Sequence, residues 1–539
     1  MPHPVPIETQ YWELPRPIRT VAVIGAGASG VSHKVSSADC QLPIARRLRD
    51  AGKQVRLYER NSYPGGIWKY QEAKAATPQL PALDPSQVDY QPDLDPVYPS
   101  VSKTVFRGQD ADAQVNAMAM SFAPPGPSYV TLKNNIPSPL MCFQGMSRDA
   151  EKPEEWYYPH SAHQAYLEAY AALHDIDSVA SYNTRVEKVD EVENGWRVWS
   201  KTFNTTRDAD STTVTITYSV DDYDAVVCAT GHHNAPATPD IPGLAEWQAQ
   251  WPDRLSHALT FRRGEDWKGC RNVLVVGSGP SGSDMAREIS VYADNVYVTA
   301  RPFETDDSPD TKIVKAVFRD RLASTCTIVP TVKRFLPPCG SVGKVEMLDG
   351  SVIEVDSVLF ATGYYHSYPF LRDYQARRTS ESTKIVQSQY TVLNLHQDLF
   401  YIPDPTLCLL GVPANISAFS FFEYQGIEVT RVWSNQAQLP SIPAMQRAYA
   451  ARRGAVSDRN IHVYGKVEEP KLVREIASWL NSEAKRLGVQ GQVEQLSGYS
   501  DEYMAVKART VEGLGVRDAA DDVRLAKAKQ AFAADLAAA

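Results

Sequence analysis

Two apolar runs in the chain end in the same glycine pattern. Val21 to Ile24 leads into Gly25-Ala26-Gly27-Ala28-Ser29-Gly30, and Val273 to Val276 leads into Gly277-Ser278-Gly279-Pro280-Ser281-Gly282. In a G-x-G-x-x-G loop after a buried strand, the first glycine permits the turn and the second lets the backbone approach a pyrophosphate. The third lets the next helix pack closely, with its N-terminus facing the phosphates. The pattern predicts two strand–loop–helix units that bind dinucleotides, with candidate residues Gly25, Gly27, Gly30, Gly277, Gly279 and Gly282.

The strand after each loop ends in an informative residue. Lys53 to Arg60 alternates as a strand and carries Glu59, where a dinucleotide-binding fold places the acid that binds the ribose hydroxyls. Asn295 to Ala300 ends in Arg301, at 301 − 282 = 19 positions past Gly282. An arginine there is placed to meet a 2′-phosphate, which favours NADP over NAD in the second unit. The alternative is an ordinary surface arginine.

The first unit has an interruption. From Gly30 to Glu59 is 59 − 30 = 29 positions, whereas one helix and one strand normally need about 20. The excess is the polar stretch Val31 to Gln41, and removing its 11 residues leaves a spacing of 29 − 11 = 18. One hypothesis is a translated intron, because Val-Ser can be encoded from a GT donor and Gln by CAG. It fails if every mature transcript retains the segment. The rival hypothesis is a surface loop that precedes a helix starting at Leu42.

The remaining pattern is mixed. Residues 71–128 are rich in Pro, Gln and Asp, and we predict a long irregular excursion or lid there. Asn183 to Val189, Trp196 to Lys201 and Thr213 to Ser219 read as antiparallel strands. Two buried strands end in Ala-Thr-Gly, at Gly231 and Gly363, which suggests backbone crossovers between two nucleotide-binding domains.

Composition narrows the class of protein. The 539 residues are 43% hydrophobic, enough for a large core, and the net charge is −9 without a basic block. We therefore expect neither nucleic-acid nor membrane-surface binding. The seven cysteines are scattered and never form C-x-x-C, which argues against a disulfide framework, a zinc or other metal site, and a dithiol centre. Without a secretory signal or a long apolar run, the expected location is cytoplasmic.

Further motifs give the chain a resemblance to the flavin-containing monooxygenases. They are Gly65-Gly66-Ile67-Trp68, the two Ala-Thr-Gly endings, and the segment Trp251 to Phe261. The family carries F-x-G-x-x-x-H-x-x-x-[YF] in that segment. His257 and Phe261 match it, whereas Trp251 and Asp253 replace Phe and Gly. The related Baeyer–Villiger monooxygenases have Trp at the final position, and Phe261 speaks against that class.

The resemblance implies roles for individual residues. Asn135, in a segment similar to the family's T-N-x-P, would contact the flavin and the nicotinamide near the oxygen site. Gln425, in a segment similar to F-x-E-x-Q, would lie beside the isoalloxazine ring. His257 would be a neutral histidine at the domain interface. The FAD residues would be Gly25, Gly27, Gly30, Glu59, Gly65, Gly66, Trp68 and Gln425, and the NADPH residues Gly277, Gly279, Gly282 and Arg301.

The resemblance also implies the architecture. It is an α/β fold with two Rossmann-like dinucleotide-binding domains, in which a smaller NADPH domain is inserted into the FAD domain. The predicted divisions are 18–236 and 364–445 for the FAD domain, 237–363 for the NADPH domain, and 446–539 for a helical extension. A homodimer is compatible with the sequence.

The implied activity is oxygenation of nitrogen or sulfur in a small amine or sulfide by NADPH and O2, through a flavin C4a-hydroperoxide, as in the N,N-dimethylaniline monooxygenases. Two alternatives stay open. One is Baeyer–Villiger oxygenation of a ketone. The other is a non-catalytic or defective protein, because Val31 to Gln41 interrupts the FAD loop. A protein that carries flavin when purified favours an enzyme over the second alternative.

Overall fold

The computed structural model describes residues 10–27, 44–143, 146, 148, 152–302, 309–322, 325–375, 380–458 and 461–538. Gly30 and the segment Val31 to Gln41 lie outside the described residues, so the two hypotheses for that segment stay open.

The described strands, in chain order, are β1 (Thr20–Ile24), β2 (Gln54–Tyr58), β3 (Ser100–Arg107), β4 (Ala180–Ser181), β5 (Thr184–Val192), β6 (Gly195–Arg207), β7 (Ser211–Tyr223), β8 (Ala225–Cys228), β9 (Ala235–Pro236), β10 (Leu255–His257), β11 (Asn272–Val276), β12 (Asn295–Thr299), β13 (Thr327–Val329), β14 (Val332–Phe335), β15 (Gly343–Met347), β16 (Val352–Val355), β17 (Ser357–Phe360), β18 (Tyr364–Tyr365), β19 (Leu395–His396), β20 (Phe400–Tyr401) and β21 (Leu407–Leu409).

The described α-helices are α1 (Ile44–Asp50), α2 (Pro85–Val88), α3 (Ala111–Phe122), α4 (His160–Leu173), α5 (Leu244–Gln250), α6 (Pro280–Ile289), α7 (Pro309–Asp320), α8 (Arg372–Gln375), α9 (Ala418–Trp433), α10 (Ile442–Ala455), α11 (Gly465–Arg486), α12 (Asp501–Ala508) and α13 (Thr510–Ala538).

The first dinucleotide-binding sheet has the strand order β19-β20-β21-β8-β1-β2-β4. From β21 to β4 the neighbours are parallel, and Val21 pairs with both Val55 and Ala225. The central strand β1 is apolar and almost wholly buried, as expected where helices cover both faces of a parallel sheet. Residues from distant parts of the chain therefore share one sheet, because β21 returns beside β8.

The second dinucleotide-binding sheet is parallel, with the order β10-β17-β11-β12-β13. Beside it, β14, β15 and β16 form an antiparallel sheet, in which β15 turns into β16 at Asp349-Gly350. The chain passes between the two large sheets along β9 and returns along β18, and these two short strands pair antiparallel. The predicted α/β class with two dinucleotide-binding units is confirmed, while the residue boundaries of the domains stay a prediction.

The excursion predicted at 71–128 is not irregular throughout, so that expectation is wrong for residues 100–122. The strand β3 extends the predicted antiparallel strands into the order β3-β7-β6-β5, and α3 packs on β3 and β7. Most of β3 is exposed, because it is the edge strand of this sheet. An exposed edge strand needs no apolar alternation, so the pattern gave no signal for it.

The region after residue 445 is helical, as expected, and comprises the end of α10 and the helices α11, α12 and α13. Within the described part of the chain, no helix combines the length and the apolar character needed to cross a membrane.

Trp196 joins the antiparallel sheet to the first dinucleotide-binding sheet. It is fully buried, and its indole Nε1 donates a hydrogen bond to Thr406 Oγ1 at 2.8 Å, just before β21. We expect Trp196→Ala to lower the free energy of unfolding by about 3–5 kcal/mol, since it leaves a large cavity. Trp199→Ala, on the same strand but only half-buried, should cost about 1 kcal/mol. Urea denaturation of both variants checks this, and equal losses would contradict it.

Candidate functional site

The first glycine loop begins directly after β1, and its first residue, Gly25, has no room for a side chain. Gly25 has φ +105°, and a Cβ atom on it would lie 2.6 Å from the carbonyl oxygen of Ala229. The backbone is held from both sides, because Gly25 N donates to Tyr58 O at 2.8 Å and Ala229 N donates to Ile24 O at 2.8 Å. Only glycine fits this position, since both the backbone angle and the space exclude a side chain.

Glu59 is held at the end of β2 beside this loop. Its side chain is buried, and Oε2 accepts a hydrogen bond from Ala26 N at 2.8 Å. Its other oxygen, Oε1, accepts from both Asn61 N and Asn61 Nδ2, each at 2.8 Å. These bonds fix the carboxylate next to the glycine loop and leave one acceptor site, on Oε2, for a ribose hydroxyl.

The Gly65-Gly66 pair approaches the same loop. Gly65 has φ +114° and donates from N to Ala26 O at 2.8 Å, and a Cβ atom on Gly66 would lie 3.0 Å from Gly27 Cα. Trp68 follows and stacks on His163, with 4.4 Å between ring centroids. The two glycine segments therefore form one backbone cradle with an aromatic side chain at its edge.

A cavity of about 390 Å³ opens on this cradle, within the usual range of cofactor pockets, roughly 300–1,000 Å³. It brings together the predicted residues Gly25, Gly27, Glu59, Gly66 and Trp68. Its other walls include apolar residues Met141, Ile416, Ala418, Phe419 and Phe422.

Three predicted residues do not line this cavity. Gly65 lies directly behind it, next to the Gln164 side chain. Gln425 is buried on α9, and its Oε1 accepts from the N–H of Gly411, which does line the cavity, at 3.1 Å. Asn135 is exposed on the loop before Pro137. Gln425 therefore acts on the cavity through the backbone of Gly411.

Asn134 anchors the loop that carries Asn135. It is buried, its Nδ2 donates to Ile136 O at 2.6 Å and to Trp156 O at 2.9 Å, and its Oδ1 accepts from Tyr158 N at 2.7 Å. These bonds occupy its amide, so Asn134 holds the loop in shape, and the next residue, Asn135, is exposed.

The second glycine loop repeats the geometry of the first. Gly277 has φ +112°, and a Cβ atom on it would lie 2.6 Å from Ala361 O, the first residue of the second Ala-Thr-Gly ending. A Cβ atom on Gly282, in the first turn of α6, would lie 2.0 Å from Gly277 O. Gly279 faces open space, and Arg301 is exposed just after β12.

His257 is a buried structural group between the two sheets. Its Nδ1 accepts from Leu259 N at 3.1 Å, which leaves Nε2 as the donor to Gly363 O, also at 3.1 Å. Burial lowers the pKa of His257 to about 4, so the ring is neutral near pH 7. This geometry fits the neutral interface histidine inferred from the motif.

His232 and His233 are not among the predicted site residues, yet both line the cavity. Their rings stack at 4.5 Å between centroids, and His366, beyond the second Ala-Thr-Gly ending, lies 4.8 Å from His232. Burial lowers the pKa of His232 to about 4 and that of His233 to about 3, so both rings are neutral. The signal available was their position directly after the first Ala-Thr-Gly.

Several residues of the 71–128 segment line the cavity although the sequence did not single them out, among them Asp89 and Tyr90. The Tyr90 hydroxyl donates to Val186 O at 2.7 Å, and the Arg185 guanidinium lies 4.4 Å from the centre of its ring. The excursion therefore closes one end of the cavity, and nothing in its local composition marks these two positions.

The described residues fit FAD in the first unit and a nicotinamide dinucleotide in the second. In each unit, a backbone carbonyl lies too close to the first glycine of the loop to admit a Cβ atom, so only glycine can form the turn after the strand. The carboxylate of Glu59 lies beside the first loop, and Arg301 is an exposed residue just after β12 of the second unit, the strand end at which a 2′-phosphate is recognised in such folds. Such a chain is, by class, a flavoprotein oxidoreductase with two dinucleotide-binding domains.

Comparison with known proteins gives the family. The family model described as pyridine nucleotide-disulphide oxidoreductase matches residues 141–417. Flavin-containing monooxygenase iboF of Amanita muscaria is 30% identical over 511 residues, covering 89% of this chain and 91% of that protein. Flavin-containing monooxygenase ustF2 of Aspergillus flavus is 28% identical, covering 86% and 92%. The chain belongs to the flavin-containing monooxygenase family.

A solved structure agrees with the fold. S-allyl-L-cysteine S-oxygenase from Allium sativum superposes with a TM-score of 0.63 at 21% identity, covering 96% of this chain and 98% of that one.

The close approach at Gly25 gives a test of the cradle. Gly25→Ala adds a methyl group against Ala229 O, and we expect the flavin content of the purified protein to fall at least about tenfold, which corresponds to 1.4 kcal/mol of binding. Gly52→Ala is the matched control, because Gly52 also has positive φ but nothing lies within 4 Å of its Cβ position. Flavin absorbance per chain measures both, and a flavin-replete Gly25→Ala protein would refute the assignment.

Proposed function

We propose that this protein uses NADPH and O2 to oxygenate a nitrogen or sulfur atom of a small amine or sulfide. The observation that carries the proposal is the paired geometry of the two glycine loops, each closed by an Ala-Thr-Gly carbonyl, with Glu59 at one and Arg301 at the other. An acid at the ribose suits FAD, and an arginine suits the extra phosphate of NADPH.

Bound FAD supplies the redox chemistry: it takes a hydride from NADPH and activates O2. The chain supplies binding and exclusion of water. The backbone N–H of Gly25 is used by Tyr58 O, so Gly25 serves to make the turn. Gly27 would let the backbone approach the pyrophosphate, and Glu59 would bind the ribose hydroxyls. Phe419 and Phe422 line the cavity from α9 and keep water from the reacting region.

Asn135 is the proposed catalytic group. Its amide is exposed, whereas that of Asn134 is fully used in holding the loop. A free amide on a fixed loop can donate and accept hydrogen bonds at once. We infer that Asn135 would hydrogen-bond the nicotinamide and the flavin when both cofactors are bound.

We favour a nitrogen or sulfur atom over a ketone group as the part of the substrate that is oxygenated. The segment that ends at Phe261 matches the family motif at His257 and Phe261, and Phe261 is buried against Tyr129, with 5.6 Å between ring centroids. The S-oxygenase named above, which shares the fold, supports sulfur as the first atom to test.

The deciding assay follows NADPH, product and hydrogen peroxide together. We expect S-allyl-L-cysteine or N,N-dimethylaniline to raise NADPH consumption and to yield sulfoxide or N-oxide, with one NADPH used per product. Cyclohexanone should give no lactone. Lactone formation would replace the proposal by Baeyer–Villiger chemistry. The proposal is contradicted if none of these substrates raises NADPH consumption by the flavin-loaded protein.

Arg301 provides a test of NADPH against NADH. We expect Arg301→Ala to raise the KM for NADPH by about 10-fold or more, because a hydrogen bond to a charged group contributes about 1.5–3 kcal/mol. The KM for NADH should stay within about twofold, since NADH lacks the 2′-phosphate. Arg271→Ala is the matched control, because Arg271 is an exposed arginine at the opposite end of the neighbouring strand β11. Equal changes for both coenzymes would exclude the proposed role of Arg301.

A further inference from the structure

The C-terminal helix α13 carries charged residues that the proposed chemistry does not use. It spans Thr510–Ala538, in the region that the sequence marks as a helical extension. Instead of projecting from one domain, it lies across both.

On the FAD side, α13 contacts the loop that carries Asn135. Arg517 Nη1 donates to Asn134 O at 3.1 Å, and Lys133 Nζ pairs with Asp521 Oδ1 at 2.9 Å. Gly513 packs so closely that a Cβ atom on it would lie 2.7 Å from the Trp156 ring. The residues that α13 contacts here are Lys133, Asn134 and Trp156, and the hydrogen bonds of the Asn134 side chain hold this region in shape.

On the NADPH side, α13 pairs with the helix that follows the second glycine loop. Arg287 Nη2, on α6, lies 2.5 Å from Asp522 Oδ1, and Arg524 pairs with Glu288, also on α6. Arg321, just after α7, lies 2.9 Å from Asp518 Oδ1. The helix is therefore tied to the NADPH unit at several points along its length.

The ion pairs around Asp518 are buried, whereas Asp522 and Arg524 are 50% and 41% exposed. The side chains of Arg287, Arg321 and Arg517 are each no more than 3% exposed, and Asp518 is 13% exposed. Removing one partner of such a cluster leaves an uncompensated buried charge, which is far more costly than losing an exposed pair. The cluster thus favours one fixed placement of α13.

Arg517 reaches both sides by itself. It bonds the carbonyl of Asn134, the residue before Asn135, and its Nη2 lies 3.9 Å from Asp284 Oδ1 on α6. Asp284 follows Gly282 by two positions and also accepts from the Tyr129 hydroxyl at 2.9 Å. One guanidinium therefore spans the distance between the Asn135 loop and the NADPH-binding helix.

We propose that α13 is an interdomain strap, and that Arg517 is a positioning residue that holds the Asn135 loop against the NADPH-binding helix. The positioning role rests on the function proposed above, whereas the strap does not. With the strap in place, the amide of Asn135 and the coenzyme keep one relative position through the reaction. With the strap loosened, activated oxygen is released as hydrogen peroxide before it reaches the substrate.

Two variants loosen the strap in different ways. Arg517→Met removes the charge and keeps much of the side-chain volume. Arg524→Glu reverses a partly exposed charge that pairs with Glu288 and also lies 3.6 Å from Asp521, and adding Glu288→Arg restores an opposite pair at the first of these contacts. Arg197→Met is the control, because Arg197 forms an exposed pair with Asp222 on β6 and β7, away from α13.

Hydrogen exchange measures the strap without any turnover. In the purified flavin-loaded protein, amides of residues 510–538 should exchange about tenfold faster or more in Arg517→Met and Arg524→Glu. The double variant should return to within about twofold of the parent, and Arg197→Met should not change. Unchanged exchange in both loosening variants would overturn the strap.

Peroxide yield measures the positioning role. At saturating sulfide, Arg517→Met should release several times more hydrogen peroxide per NADPH than the parent, with unchanged flavin content. Faster exchange with an unchanged peroxide fraction would overturn the role of Arg517. If the parent itself oxidises no NADPH with any substrate, the proposed function fails, and the exchange data still decide the strap.

Discussion

The close approach of a backbone carbonyl to a glycine is the constraint on which both dinucleotide-binding units depend. Ala229 O lies 2.6 Å from the position that a Cβ atom of Gly25 would take, and Ala361 O lies 2.6 Å from the corresponding position at Gly277. This contact brings the ends of β8 and β17 against the loops that leave β1 and β11. It thereby sets where the phosphates can lie and where the chain crosses between domains, because both Ala-Thr-Gly endings lead directly into the connecting strands β9 and β18.

Features that follow from local geometry could be predicted from the sequence. A glycine that needs positive φ or close approach leaves a mark in a short window, as at Gly25 and Gly277. An acid at the end of the next strand has a fixed spacing, and Glu59 lies beside its loop as that spacing requires. The antiparallel strands β5, β6 and β7 could also be predicted, since alternating side chains and tight turns are local signals.

Features that depend on distant contacts could not be predicted. The strand β3 is exposed along most of its length, so its composition resembles a loop until β7 is seen beside it. Tyr90 reaches the cavity only because Arg185 and Val186 come from another part of the chain. The position of α13 between the domains rests on ion pairs with residues more than 200 positions away, for which a single sequence has no periodic signal.

Together, these contacts describe an enzyme whose catalytic parts are held by backbone fit at the glycine loops and by buried charge at the C-terminus. The most direct test is the flavin content of the purified full-length chain, because every later step needs FAD in the cradle and the chain carries Val31 to Gln41 within the first unit. We predict that the purified protein is yellow, carries close to one FAD per chain and shows the visible absorbance of oxidised flavin. A folded, colourless protein that cannot be reconstituted with added FAD would contradict it.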